Sequence, residues 1–170
     1  MELNEFKNRV LPLKDKMYRF ALSILHRRED AEDLVQEVFL KIWNTQNFFE
    51  RIDNPAAYCM MMTKNMALDR LRQANRKIPH LPVEQHEAIE EQNPLEKLQY
   101  HERHQLVERI IRQLPRNLQM LIQLRDIEGE TYRQIADTLK ISEGKVKINL
   151  FRARQLLKQQ FNNIHAYGQL

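Results

Sequence analysis

The chain has little of what several common architectures require. Its 170 residues include one cysteine, Cys59, which excludes an intramolecular disulfide and a four-cysteine zinc site. Three glycines and six prolines are few for a sheet-rich fold with many tight turns. No apolar run approaches the ~20 residues that a membrane-spanning helix needs. The opening residues, Met1 to Glu5, lack the apolar core of a secretion signal. We therefore expect a cytoplasmic protein.

The familiar catalytic signatures are also missing. The sequence contains no glycine-rich phosphate loop, no nucleophile elbow and no HExxH motif. His101 and His104 are three residues apart, but no third ligand accompanies them, so a metal site there is weakly supported. We expect no metal, no cofactor and no small-molecule substrate, and the chain does not read as an enzyme.

The N-terminal part of the sequence has helical periodicity. Apolar residues recur at spacings of three and four from Phe6 to Leu25, and again from Ala31 to Trp43. A third helix is predicted to begin at Asn54 and Pro55 and to continue to about residue 75. These three helices can bury one another, so residues 3–75 are predicted to form one compact unit.

The periodicity stops between residues 76 and 92, where prolines and glutamates predominate. Asn93-Pro94 then resembles a new helix start, and helices are predicted over roughly 94–113, 116–126, 131–139 and 143–160. We therefore predict an all-α fold of two small helical bundles joined by a flexible acidic linker. The predicted boundaries are 1–75 for the first bundle, 76–93 for the linker and 94–170 for the second bundle.

The last two helices form a predicted helix-turn-helix. Thr131 and Gln134 have capping-box spacing, Ser142 is a second cap, and Ala136 is a small residue near the turn. Residues 129–154 carry a net charge of +3. A helix with lysines and arginines on its outer face suits the DNA major groove, although an ordinary solvated hairpin would show the same pattern.

Two further surfaces stand out. Residues 63–77 carry a net charge of +4, and Asn65 and Asp69 share a helix face from which they could pair with base edges. Alternatively, both are solvated or Asp69 pairs with Arg70 or Arg72. On the second helix, Asp33, Gln36 and Glu37 form a polar patch suited to a basic partner helix, or simply a solvated face.

Three sequence blocks together resemble the extracytoplasmic-function sigma factors, members of the sigma-70 family of bacterial RNA polymerase subunits. The first block is DAEDLVQEVFLKIW at 30–43, and the second is NPAAY at 54–58 with KNMALDRLR at 64–72. The third runs from LPR at 114–116 through EG at 128–129, Tyr132 and IA at 135–136 to VK at 146–147 and RAR at 152–154.

The resemblance implies functions for both bundles. The first bundle, sigma region 2, is expected to dock on the β′ clamp helices of core RNA polymerase and to open the −10 promoter element. The second, region 4, is expected to read the −35 element as duplex and to sit on the β flap. A membrane-bound anti-sigma factor is a further partner that the family often has.

The implied site residues fall into three groups. The polymerase contacts would be Asp33, Gln36 and Glu37. The −10 contacts would be Lys64, Asn65, Asp69 and Arg72. The −35 contacts would be Lys145, Lys147, Ile148, Asn149 and Arg152.

The sequence departs from the family pattern in two places. Met60 and Met61 stand where many members carry an aromatic residue and an arginine, which weakens the expectation that these positions contact DNA. Ile148 and Asn149 replace a common serine and arginine, and Lys145 replaces a frequent threonine. The −35 sequence therefore cannot be carried over from relatives.

One other class of function fits part of the sequence. A stand-alone helix-turn-helix regulator would explain the C-terminal half equally well. It would give no role to the patch of Asp33, Gln36 and Glu37, and the chain shows no heptad seam for dimerisation.

Overall fold

The described part of the chain is helical and contains no strand, which confirms the all-α prediction. The computed structural model describes residues 3–45, 47–77 and 105–167. Most of the predicted linker, the predicted helix start at Asn93-Pro94, and both His101 and His104 lie outside these residues. The boundaries 1–75, 76–93 and 94–170 stay a prediction.

The N-terminal bundle contains five α-helices. They are α1 (Leu3–Arg9), α2 (Lys14–Leu25), α3 (Arg28–Trp43), α4 (Phe48–Arg51) and α5 (Pro55–Lys77). Helices α2, α3 and α5 pack against one another. Their interior is apolar, and its largest fully buried side chains include Met17, Phe20, Leu34, Ile42 and Phe48.

The first predicted helix, which covers Phe6 to Leu25, is interrupted near its start. Helix α1 ends at Arg9, and Leu11–Leu13 forms one turn of 3₁₀-helix before α2 begins. Pro12 explains the break, because its ring lacks an N–H donor and clashes with the carbonyl one turn earlier. The apolar spacing survives the break, since Val10 and Met17 are both buried.

The start of α5 follows the prediction. The Asn54 side-chain oxygen accepts a hydrogen bond from the Ala57 backbone N–H at 3.0 Å, so Asn54 caps the helix that Pro55 begins. Helix α5 ends at Lys77, two residues beyond the predicted end.

The C-terminal bundle contains α6 (105–113), α7 (Arg116–Ile122), α8 (Tyr132–Leu139) and α9 (Glu143–Tyr167). A π-helical segment, Gln123–Ile127, continues α7. Gly129 follows with a φ of +72°, a left-handed conformation that glycine adopts without strain. Helix α9 runs past the predicted end at 160, and its buried residues Val146, Leu150 and Ala153 pack on the rest of the bundle.

The two bundles are in direct contact, an arrangement that the sequence left open. Helix α2 contacts α7 and the π-helical segment, and α5 contacts α8. The buried apolar residues form one cluster that extends through both bundles. Charged side chains also cross the contact: Lys16 pairs with Glu130, and Arg19 pairs with Glu128 at 2.7 Å. We call this contact the inter-bundle interface.

Candidate functional site

The helix-turn-helix is capped at both of its helix starts, as predicted. The Thr131 hydroxyl oxygen accepts from the Gln134 backbone N–H at 3.2 Å, and the Gln134 side-chain oxygen accepts from the Thr131 N–H at 2.8 Å. This reciprocal pair is a capping box. At α9, the Ser142 hydroxyl oxygen accepts from the Lys145 N–H at 3.2 Å. The two caps fix where α8 and α9 begin. The Ser142 cap therefore determines which residues occupy the first turn of α9.

The turn between α8 and α9 is tight. Lys140 adopts a left-handed conformation with a φ of +56°, and the Ile141 N–H donates to the Ala136 carbonyl at 3.1 Å. Ile135 and Val146, on either side of the turn, are fully buried. The buried pair and the turn hold the second helix at a fixed angle to the first, with its other face in solvent.

Four of the five predicted −35 residues are exposed on that face of α9. Lys145, Lys147, Ile148 and Arg152 are exposed, whereas Asn149 is half-buried. The side chains therefore form one basic surface around an apolar residue, as a DNA-reading helix would require.

Arg154 belongs to a different structural group, although the sequence places it among the basic residues of the same helix. Its guanidinium donates to both carboxylate oxygens of Asp126, at 2.5 and 3.3 Å. This hydrogen bonding raises the pKa of Arg154. Arg154 thus ties α9 to the π-helical segment.

Two exposed features of α9 were absent from the sequence-predicted site. Phe151 is 65% exposed, and Gly144 lies in the first turn with open space where a side chain would be. Their positions in the sequence could have identified them, because neither lies on the stripe of Val146, Leu150 and Ala153 that forms the buried face of α9.

The predicted −10 residues lie on α5 but in different environments. Asn65, Asp69 and Arg72 are exposed, and Asp69 accepts a hydrogen bond from Arg72 at 2.8 Å, which is the simpler alternative left open by the sequence. Lys64 is half-buried at the inter-bundle interface, and its pKa is lowered by burial and by the nearby Lys140, in the turn after α8. The C-terminal bundle therefore adjoins one edge of this surface.

Arg70 also contributes to the +4 charge of this segment, but it is directed at α3. Its guanidinium donates to the Asp30 backbone carbonyl at 2.8 Å and to the Glu37 carboxylate at 2.9 Å. Lys41 approaches the other Glu37 oxygen at 3.0 Å. Hydrogen bonds from Arg70 and then from Lys41 lower the pKa of Glu37, so this carboxylate stays ionised and held in place.

The predicted polymerase patch lies on the solvent face of α3. Asp33 and Gln36 are exposed, Glu37 is half-buried, and Leu40 is 62% exposed beside them. An open groove of about 580 Å³ adjoins the patch, and its lining includes Gln36 and the apolar Phe39. Leu40 was not identified from the sequence, where it reads as one more apolar residue of the helix.

The sulfur-rich stretch of α5, residues 59–62, is partly interior: Cys59 and Met60 are buried, and Met61 and Met62 are half-buried. Cys59 and Met60 are 0% and 2% exposed. Burial raises the pKa of the Cys59 thiol to about 12, so it is protonated and unreactive at neutral pH. Met60 is therefore unavailable to DNA in this arrangement, consistent with its departure from the family pattern.

The described residues contain neither a metal-binding cluster nor a membrane-spanning helix. No group of three or more His, Cys, Asp or Glu side chains in 3–45, 47–77 or 105–167 could hold a metal ion. Within the same part of the chain, no helix combines the length and the apolar character needed to cross a membrane.

Family comparison matches both halves of the chain. Residues 10–77 match the model for sigma-70 region 2, and residues 104–157 match a model for sigma-70 region 4. The two matched segments contain, respectively, the α3 and α5 surfaces and the helix-turn-helix.

Curated relatives are similar across most of the chain. An ECF RNA polymerase sigma factor, SigE, of Mycolicibacterium smegmatis is 30% identical over 85% of this chain, and this chain spans 56% of that relative's length. The RNA polymerase sigma-H factor of Pseudomonas aeruginosa is 27% identical, over 87% of this chain and 81% of the relative. The ECF sigma-E factor of Escherichia coli K12 is 30% identical, over 75% of this chain and 72% of the relative.

Two solved structures share the fold. One is the sigma factor RpoE of Bartonella quintana in complex with the anti-sigma factor NepR, with a TM-score of 0.72 and 23% identity over 94% of this chain and 98% of that chain. The other is CnrH in complex with the cytosolic domain of CnrY, with a TM-score of 0.66 and 20% identity over 95% and 90% of the two chains.

Proposed function

Because the chain belongs to the extracytoplasmic-function sigma factors of the sigma-70 family, we propose that it binds core RNA polymerase and directs promoter-specific transcription initiation. In this proposal residues 1–75 act as region 2, 76–93 as the linker and 94–170 as region 4. In this proposal the chain catalyses no reaction, because the polymerase synthesises the RNA. The chain acts in the cytoplasm.

The observation that carries the proposal is the presence of two different surfaces on one chain. The α3 patch exposes Asp33, Gln36 and Leu40, a mixed acidic and apolar surface of the kind that docks proteins. The α9 surface exposes Lys145, Lys147 and Arg152, which suits phosphates and base edges. A stand-alone regulator needs only the second surface and is not favoured.

We assign the polymerase contact to the α3 patch, with the β′ clamp helices as its partner. Glu37 is preorganised by Arg70 and Lys41, so docking would cost little side-chain entropy at that carboxylate. Leu40 lies beside it as an apolar anchor that loses its water on binding. The second polymerase contact, at the β flap, belongs to region 4.

We assign the opening of the −10 element to α5. Asn65 is exposed, and its amide carries both a donor and an acceptor for the edge of an unpaired base. Asp69 and Arg72 are joined to each other at 2.8 Å and lie one and two turns further along α5, and Lys64 supplies charge for the strand's phosphates.

We assign the reading of the −35 element to α9, through Lys145, Lys147, Ile148, Asn149 and Arg152. Arg152 has the donors for bidentate pairing with guanine, and Lys145 and Lys147 can neutralise phosphates. We also propose an anti-sigma factor as a regulatory partner, because both structural neighbours were solved as complexes, one of them with a named anti-sigma factor.

Reconstitution with core polymerase tests the function. The purified chain should bind core enzyme and produce promoter-specific transcripts in vitro. Changing Glu37→Lys together with Gln36→Ala should weaken core binding, whereas Glu50→Lys, an exposed charge reversal on α4, should leave it unchanged. Specific operator binding without polymerase, combined with no core binding, would overturn the proposal in favour of the regulator.

The division of labour is tested by two variants that control for each other. Asn65→Ala should impair opening of the −10 element, measured by permanganate footprinting, and leave −35 binding intact. Arg152→Ala should weaken −35 binding by about 1–3 kcal/mol and leave binding to a template with a premelted −10 element intact. Loss of both activities in either variant would contradict the assignment.

A further inference from the structure

The centre of the solvent face of α9 is apolar. Ile148 is 56% exposed, and the buried residues Val146, Leu150 and Ala153 lie on the opposite side of the helix. Single exposed apolar residues are common on protein surfaces and need no explanation by themselves. Ile148 differs because the basic side chains of Lys145, Lys147 and Arg152 surround it.

Gly144 lies four residues before Ile148 and therefore on the same face of the helix. Glycine is less favourable than alanine in a helix because it loses more backbone freedom on folding. No atom of the described chain lies within 4 Å of the position that a Cβ at residue 144 would occupy, so packing does not require the glycine. The bare backbone instead leaves room for something outside this chain to approach closely.

The basic surroundings and the proposed function favour duplex DNA as that neighbour. Of the groups that base pairs present in the major groove, the thymine 5-methyl is apolar, whereas the others are hydrogen-bond donors and acceptors. Isoleucine has neither donor nor acceptor. Placed over a cytosine or guanine edge it would displace water without replacing the hydrogen bonds. Placed over thymine it would bury two apolar surfaces against each other.

We propose that Ile148 reads the 5-methyl group of a thymine in the −35 element, and that Gly144 admits the DNA closely enough for this contact. The inference rests on the proposed function, and it names the thymine 5-methyl as one group that α9 recognises. It makes Ile148 a specificity-determining residue, distinct from the lysines that hold phosphates.

The test uses the reconstituted holoenzyme and replaces thymine by deoxyuridine, which lacks only the methyl group. The −35 sequence is first obtained by binding selection from a library randomised in that element. Each thymine is then changed singly to deoxyuridine in the duplex. At one position the affinity should fall about four-fold, which corresponds to the ~0.8 kcal/mol of one buried methyl group.

Three variants complete the experiment. Ile148→Ala should bind thymine and deoxyuridine equally at that position. Ile164→Ala, the same change at a distant exposed site of α9, should discriminate as the unchanged protein does. Gly144→Ala should raise thermal stability through better helix propensity and yet weaken −35 binding several-fold.

The outcomes separate the inference from the function on which it rests. Binding that depends on the −35 sequence but is indifferent to deoxyuridine at every thymine would overturn the methyl contact and leave the sigma function standing. If Gly144→Ala bound the −35 element as tightly as the unchanged protein, a close approach of DNA at residue 144 would be excluded. Holoenzyme that binds all −35 sequences equally would overturn the proposed function itself.

Discussion

The interior of the N-terminal bundle is apolar, whereas the inter-bundle interface combines apolar contacts with ion pairs. Met17, Phe20 and Leu34 are completely buried among other apolar side chains, and such packing is stabilising without needing any specific pairing. At the inter-bundle interface the carboxylates of Glu128 and Glu130, whose side chains are 4% and 7% exposed, face Arg19 and Lys16. Buried ion pairs contribute little net stability because desolvation offsets their attraction.

This difference matters for the proposed function. Elements centred about 10 and 35 base pairs upstream lie roughly 85 Å apart along a duplex with ~3.4 Å per base pair. A compact chain of 170 residues has a radius of gyration of only about 15 Å. The bundles must therefore separate to read both elements. Because ion pairs form part of the interface, we expect separating the bundles to cost less than opening either interior.

The largest expected effect comes from opening the apolar interior. Phe20→Ala should destabilise the N-terminal bundle by about 3–5 kcal/mol, because it removes a fully buried ring and leaves a cavity. Chemical denaturation followed by the fluorescence of Trp43, the single tryptophan, measures this loss. Leu11→Ala, which truncates a side chain that is 42% exposed, is the control and should change stability by less than about 0.5 kcal/mol.

A smaller effect is expected at the inter-bundle interface. Glu128→Gln weakens the hydrogen bonds from Arg19 and Gln123. A hydrogen bond to a charged group is worth about 1.5–3 kcal/mol, so the bundles should separate more readily. Small-angle scattering should show a larger radius of gyration for this variant. The buried Cys59 should stay protected from alkylation, because the interior remains closed.

The control for the interface is Asp69→Asn, which removes an ion pair exposed on α5. It should leave the radius of gyration unchanged. If Glu128→Gln instead exposed Cys59 to alkylation, the interface and the bundle interior would unfold as one cooperative unit. The expectation that the interface opens while the interior stays closed would then be wrong.

Removing a cap should have an effect of about 1 kcal/mol. Thr131→Ala eliminates the capping box of α8 and leaves the first-turn N–H groups without a side-chain acceptor. Thermal unfolding should register the loss, and Thr131→Ser should restore most of it. An equal loss in Thr131→Ser would show that the hydroxyl is not what stabilises this helix.

The smallest effect is a pH dependence at His26. Burial, followed by the charges of Arg112 and Arg116 in the C-terminal bundle, lowers the pKa of His26 below 6.5. Between that lowered pKa and 6.5 the unfolded chain binds more protons than the folded chain. Stability therefore falls as the pH decreases through this range.

Comparison of the melting temperature at pH 7.5 and pH 5.5 measures this dependence. The unchanged protein should lose more stability on acidification than His26→Asn, a variant that tolerates the left-handed backbone at this position. The same loss in both proteins would exclude His26 as its source.

Much of the fold was predictable because helix boundaries depend on local chemistry. Asn54, Thr131 and Ser142 cap helices as their sequence context indicates, since a cap involves residues only three apart. The break at Pro12 was missed because the apolar spacing continues across it. The α9 surface was largely predictable for a similar reason: four residues lie off the apolar stripe that packs inward.

The partners of individual charged residues were not predictable from spacing. Arg70 and Arg154 look like members of basic surfaces, yet one binds Glu37 of α3 and the other binds Asp126 of the π-helical segment. These partners are 33 and 28 residues away in sequence. The half-burial of Lys64 likewise depends on the C-terminal bundle, which no local pattern places beside it.

The sequence by itself determined the helical class, the principal caps and the faces that turn inward, because these follow from periodicity and from hydrogen bonds between near neighbours. Only the tertiary structure decided that Glu37 is held by two cations, that Arg154 is engaged internally and that the two bundles meet across charged and apolar side chains. Those contacts join segments far apart in the chain, and their free energy depends on distance and burial, which sequence spacing does not specify.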